Sequence, residues 1–136
     1  MLRIGRHLII ECQGRHAHLS EKALEALLVT AAEAGGASVL QAHFHPFGAG
    51  KGMTGVVLLA ESHITVHTWP EYDYAAFDVF MCGDCKPMQA AEVITSACPD
   101  AVTSVRSIDR GLPINAGNVS ANRSSSHSQS DSFSVG

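Results

Sequence analysis

Glu61, Ser62, His63 and His67 place a carboxylate, a hydroxyl and two imidazoles in one short run that otherwise reads as β-strand, and Cys82 and Cys85 follow at the end of the next strand-like run. The plainest reading of this density is the polar face of a half-buried strand, since isolated histidines are more often structural than catalytic. A second reading is a metal site. On a strand His63 and His67 share a face, and with the Cys82-x-x-Cys85 pair they could supply the four ligands of a tetrahedral zinc ion. A thioredoxin-like reading of the cysteine pair is weaker, because that motif opens a helix directly after a strand and Pro87 follows too late. A third reading concerns the Glu61–Ser62 peptide bond. Two strands meet there with no Gly or Pro to ease the reversal, and backbone strain of that kind is stored at functional sites.

The elements that must hold these groups are legible from periodicity. Arg6 to Glu11 reads as a first strand, and Ser20 caps a helix with an apolar stripe at Leu24, Leu27, Leu28 and Ala31 that Gly35-Gly36 ends. Leu19 and Leu24 fit a hydrophobic staple. Ala37 to Phe47 alternates, with Leu40, Ala42 and Phe44 on one face and Gln41, His43 and His45 on the other. The glycines around Lys51 read as a turn rather than a phosphate cradle, because no helix start follows them. Thr54 to Ala60 is apolar enough to be central, Ser62 to Thr68 succeeds it, and Tyr74 to Cys82 turns Ala75, Phe77, Val79 and Met81 to one face and Asp78, Phe80 and Cys82 to the other. A shorter helix over Lys86 to Ala97 starts at Pro87, with Met88, Ala91 and Ile94 as its stripe, and Val102 to Ile108 is a last strand. These short links predict an α+β two-layer sandwich, a mainly antiparallel sheet with two helices on one face.

With 136 residues and 46% apolar side chains, the chain is sized for one domain, expected over residues 1–110. From Gly111 the composition turns to Ser, Asn and Gly, and residues 111–136 are expected to be a disordered tail. A formal net charge of -4 with scattered Lys and Arg makes nucleic acid a poor partner. No apolar run reaches the roughly 18 residues of a membrane span, and the N-terminus lacks a signal peptide's apolar centre. A cytoplasmic protein with reduced thiols is therefore expected.

The run A-E-S-H-I-T-V-H-T-W-P-E, Ala60 to Glu71, resembles the processing site of the prokaryotic S-adenosylmethionine decarboxylase proenzymes, a pyruvoyl-dependent family that cuts its own chain before an E-S-H serine. The resemblance extends to G-R-H at Gly5 to His7, F-H at Phe44 and His45, T-G-V-V at Thr54 to Val57, and Y-A-A-F-D-V-F-M-C-G-D at Tyr74 to Asp84. It implies cleavage between Glu61 and Ser62 into chains 1–61 and 62–136, with Ser62 converted to the pyruvoyl cofactor. By the same resemblance His67 matches the proton acceptor in processing and Cys82 the proton donor in catalysis. Thr54 stands where the family commonly has serine and keeps the hydroxyl that supports processing. Phe47 and Glu71 match substrate-binding positions, with Trp69 nearby. The alternation of its strand favours the acid role for Cys82 over a packing role, because it points away from the apolar set.

The activity implied is conversion of S-adenosylmethionine to its decarboxylated form, the aminopropyl donor of spermidine biosynthesis, in a homodimer of cleaved heterodimers with sites at or near its interface. No metal is required. The loop from Gly48 to Met53 looks one residue longer than the family's, beside the expected pocket, and keeps arginine or ornithine open as substrates of the same machinery. The zinc-binding module built on His63, His67, Cys82 and Cys85 is a remote alternative. Simple alternation puts Ser62 and His67 on opposite faces of one strand. The mechanism therefore predicts that Ser62 sits in the bend or that His67 lies beyond a bulge.

Overall fold

The computed structural model describes residues 2–114 and contains six strands, β1 Leu2–Gln13, β2 Val39–Pro46, β3 Met53–Leu59, β4 Ser62–Trp69, β5 Tyr74–Cys82 and β6 Val102–Leu112. Helix α1, Glu21–Ala34, connects β1 to β2, and α2, Pro87–Ser96, connects β5 to β6. The strands form one sheet in the order β2-β3-β4-β5-β1-β6, with every neighbouring pair antiparallel. Both helices pack on the same face, which makes the expected two-layer α+β sandwich. Among the described residues no helix is long and apolar enough to cross a membrane.

The core lies between sheet and helices and follows from the alternation. Leu8 and Ile10 of β1, Ile64 and Val66 of β4, and Phe77 and Val79 of β5 meet Leu24 and Leu28 of α1 and Ile94 of α2. Each such side chain, fully withdrawn from water, stabilises the fold by about 1.5–3 kcal/mol relative to leaving it exposed. The Ser20 hydroxyl accepts the Ala23 N–H at 3.1 Å, the expected N-cap, which contributes ~1 kcal/mol.

Two packing expectations need correction. Leu40 is 68% exposed, because the β2–β3 register shifts between Val39 and Gln41 and turns Val39 toward the core instead. Met88 is exposed, and α2 rests on Pro87, Ala90, Ala91 and Ile94, whose two alanines allow a close approach to α1. The apolar run in β3 is interior to the sheet, between β2 and β4, as expected, and Leu58 is 44% exposed on the face that carries no helix. Strand β1 also runs well past Arg6–Glu11, because pairing with both β5 and β6 extends it. Strand β6 carries two residues beyond the expected boundary at 110, and the expected tail from residue 115 on lies outside the described residues.

Candidate active site

Leu59 pairs with Ser62, so β3 and β4 are joined by a two-residue hairpin of Ala60 and Glu61. Hairpins this tight need positive φ, and Gly, Asn or Asp normally supplies it. Here Glu61 does, with φ 67°. The left-handed conformation costs a residue bearing a Cβ about 1–2 kcal/mol. The strain expected at this junction is thus present, and it falls on the residue whose carbonyl carbon adjoins Ser62.

Ser62, 8% exposed, opens β4 directly after this turn. Its hydroxyl lies 3.7 Å from the Cys82 sulfur, and the Cys82 thiol donates to the Glu61 carbonyl oxygen at 3.0 Å. The β4–β5 register, which sets His63 against Phe80, carries the end of β5 alongside the hairpin. Glu61, Ser62 and Cys82 therefore meet as a carbonyl, a hydroxyl and a thiol donor. A cleft of about 420 Å³ opens beside Cys82, bordered by Gly5, Met81, Cys85 and Lys86.

A second cluster stands at the other end of the same strands. Thr54 is paired with His67, and its hydroxyl lies 3.0 Å from His67 Nδ1. The Trp69 ring stacks on Tyr74 with centroids 5.4 Å apart and tilts against His67 at 6.0 Å. Phe47 is 56% exposed, edge-on to His45, and Glu71 lies in an exposed 3-10 turn, Pro70–Tyr72. The glycine loop after Phe47 lies against β4, where a Cβ on Gly52 would come 2.2 Å from the Thr68 carbonyl oxygen. Only glycine allows that approach.

Strand β4 shows no register shift against either neighbour. Ser62, Ile64, Val66 and Thr68 face the helices, and His63, Thr65 and His67 face the uncovered side. At about 3.3 Å per residue, Ser62 and His67 are ~16 Å apart along the strand. Ser62 does follow the bend, but no bulge brings His67 back to it, and within one chain the two do not meet. The zinc constellation does not assemble either. Among the described residues no three His, Cys, Asp or Glu side chains are gathered to hold a metal, while His63 tilts against Phe80 and Cys85 reaches the Gly36 carbonyl.

Sequence reasoning missed a polar row on the uncovered face. His7 Nε2 lies 3.0 Å from Asp78, which also accepts from Thr65 at 3.3 Å, and the Tyr74 hydroxyl donates to Glu11. Burial, and then this bond to Glu11, push the Tyr74 hydroxyl above its ordinary range. His7, Asp78 and Tyr74 fall in motifs quoted above, but no local spacing links them, because only the β1–β5 register sets Ile9 against Asp78 and Glu11 against Ala76.

The family model described as S-adenosylmethionine decarboxylase matches residues 6–111. A protein of Thermodesulfovibrio yellowstonii named S-adenosylmethionine decarboxylase proenzyme is 40% identical over 115 residues, 82% of this chain and 84% of its own. A Prochlorococcus marinus protein of the same name is 42% identical over 113 residues, 81% of this chain and 90% of its own. The crystal structure of the adenosylmethionine decarboxylase from Aquifex aeolicus superposes with a TM-score of 0.73 at 28% identity, covering 85% of this chain and 97% of that one.

Proposed function

Because this chain belongs to the S-adenosylmethionine decarboxylase family, we propose that it cuts itself between Glu61 and Ser62 and then, with a pyruvoyl group made from Ser62, decarboxylates S-adenosylmethionine for spermidine biosynthesis. The observation that carries the reading is the strained Glu61 with the Ser62 hydroxyl and the Cys82 thiol beside its carbonyl. The relatives are named for S-adenosylmethionine, so arginine and ornithine are not favoured as substrates.

In processing, the Ser62 oxygen attacks the Glu61 carbonyl carbon, whose oxygen the Cys82 thiol polarises. The new C–O bond replaces the C–N bond, and the hydroxyl proton passes to the nitrogen. Loss of the Ser62 Cα proton then breaks the Cβ–O ester bond and frees Glu61 as a carboxylate. The dehydroalanine left at position 62 takes up water and loses ammonia. His67 is the base, its ring fixed through Nδ1 by Thr54, which leaves Nε2 to receive the proton.

Once formed, the pyruvoyl group supplies the electron sink for loss of carbon dioxide. Cys82 then delivers a proton to the substrate carbon. Phe47 and Trp69 offer aromatic surface to the adenine and the sulfonium, and Glu71 offers a carboxylate to the ribose hydroxyls. Phe47, Trp69 and Glu71 stand at the His67 end of the sheet, away from Ser62 and Cys82.

That separation supports a dimer. A second copy stacked on the uncovered face and turned end for end would bring the partner's His67 to the Ser62 hairpin, and Leu58 and Ile108, 44% and 45% exposed on that face, offer it apolar surface. The working unit proposed is a homodimer of cleaved heterodimers. A cytoplasmic location belongs to the same proposal, and the four unpaired cysteines suit it.

Intact mass after expression tests the reading. Chains 1–61 and 62–136 are expected, the second with a blocked N-terminus, together with carbon dioxide release from S-adenosylmethionine in preference to arginine or ornithine. Ser62→Ala should remain one inactive chain, and normal cleavage in that variant would end the proposal.

A further inference from the structure

The four cysteines differ in access. Cys12 and Cys98 are sealed in the interior, 0% and 2% exposed. Burial, then the neighbouring Cys98 and Glu11, push the Cys12 thiol up to about 12, which keeps it from its reactive thiolate form. Cys82 and Cys85 are half-buried instead and border the same cleft.

Between them the chain makes a tight turn in which the Cys85 N–H donates to the Cys82 carbonyl at 3.4 Å and Gly83 takes φ 65°. A turn closed in this way keeps its first and fourth Cα atoms within about 7 Å, and a disulfide spans about 4.4–6.8 Å between Cα atoms. A Cβ built on Gly83 meets nothing within 4 Å, so the turn has room to tighten. The Cys85 thiol is held by a single long contact, 3.8 Å to the Gly36 carbonyl.

We propose that Cys82 and Cys85 form a reversible disulfide on exposure to hydrogen peroxide, and that this bond switches the decarboxylase off by withdrawing the thiol that protonates the substrate carbon. The switch rests on the acid role given to Cys82. The Cys82 sulfur attacks the peroxide, the O–O bond breaks, and water leaves as the sulfur becomes a sulfenic acid. Cys85 then attacks that sulfur, the S–O bond breaks, a second water leaves, and the S–S bond forms. In total the two thiols give up two electrons and two protons, and the peroxide takes both. A thiol reductant reverses the change by exchange. Without Cys85 the sulfenic acid has no neighbouring thiol and proceeds to sulfinic acid, which thiols do not reduce.

The test treats the processed enzyme and its Cys85→Ser variant with hydrogen peroxide and then with dithiothreitol, following turnover and peptide mass. In the wild type, the peptide holding both cysteines should lose about 2 Da, the two thiol hydrogens. Turnover should fall by about a hundredfold or more, and both changes should reverse with reductant. Cys85→Ser should match the wild type before treatment, then gain about 32 Da at Cys82 and stay inactive. The switch is overturned if that peptide never loses the two hydrogens, or if Cys85→Ser recovers as fully as the wild type. Either result leaves the acid role of Cys82 standing, because turnover of Cys82→Ala measures it separately. A disulfide that forms while turnover continues would overturn the switch and the acid role together.

Discussion

In the proposed mechanism His67 and Cys82 serve different stages, and single substitutions would separate them. His67→Ala should stall after ester formation, leaving a chain that hydroxylamine cuts at Glu61, because elimination needs a base. Cys82→Ala should still be cut. Losing the thiol's bond to the Glu61 carbonyl removes a weak donor and should slow cleavage by no more than about tenfold. Its main defect should appear in turnover, lowered by about a hundredfold or more, with misplaced protonation converting the pyruvoyl group to alanine. Cleavage timed by gel and turnover by carbon dioxide release give the two readings, and full turnover of Cys82→Ala would return the residue to a packing role.

At the scale of the element, the β3–β4 hairpin stores strain at Glu61. In the uncut Ser62→Ala background, Glu61→Gly should raise stability by up to about 1 kcal/mol, the left-handed penalty less glycine's entropic cost. With Ser62 restored, the same change should slow cleavage, since the uncut chain no longer gains by breaking that bond. A lower urea midpoint for Glu61→Gly would show that the turn is not strained. Strand β5 opens on Tyr74, which supports Trp69 by stacking and bonds Glu11 across to β1. Its folded pKa lies above the ordinary 10.0, so its contribution to stability is complete below 10.0 and is lost as pH rises toward the folded value. Urea unfolding at about pH 9 and about pH 11 should show a smaller alkaline loss in Tyr74→Phe than in the wild type.

For the whole molecule, the separation of Ser62 from His67 makes a prediction that no single-chain site shares. If the proposed dimer is right, co-expressed Ser62→Ala and His67→Ala chains will include a mixed dimer in which one hairpin keeps Ser62 and receives His67 from the partner. The His67→Ala chain should be cut in the mixture and uncut alone, as distinguishable masses would show. If it stays uncut in every mixture, the base acts within its own chain and the proposed stacking of open sheet faces is wrong.

The Ser20 cap, the strand faces of Tyr74 to Cys82, the glycine turn and the forced reversal at Glu61 were all legible in the sequence, because capping, period-two alternation and turn chemistry depend on near neighbours alone. The family was legible for a related reason, since the motif from Ala60 to Glu71 is contiguous. Tertiary structure alone decided which ends of the strands meet. The β4–β5 register put Cys82 against Glu61 and Ser62 and left His67 at the far end of a regular strand, and the β1–β5 register joined His7 to Asp78. The shift that exposes Leu40 and the rotation that exposes Met88 are of the same kind. Register is set by the summed pairing and packing of all six strands against both helices, and no stretch of sequence carries that sum.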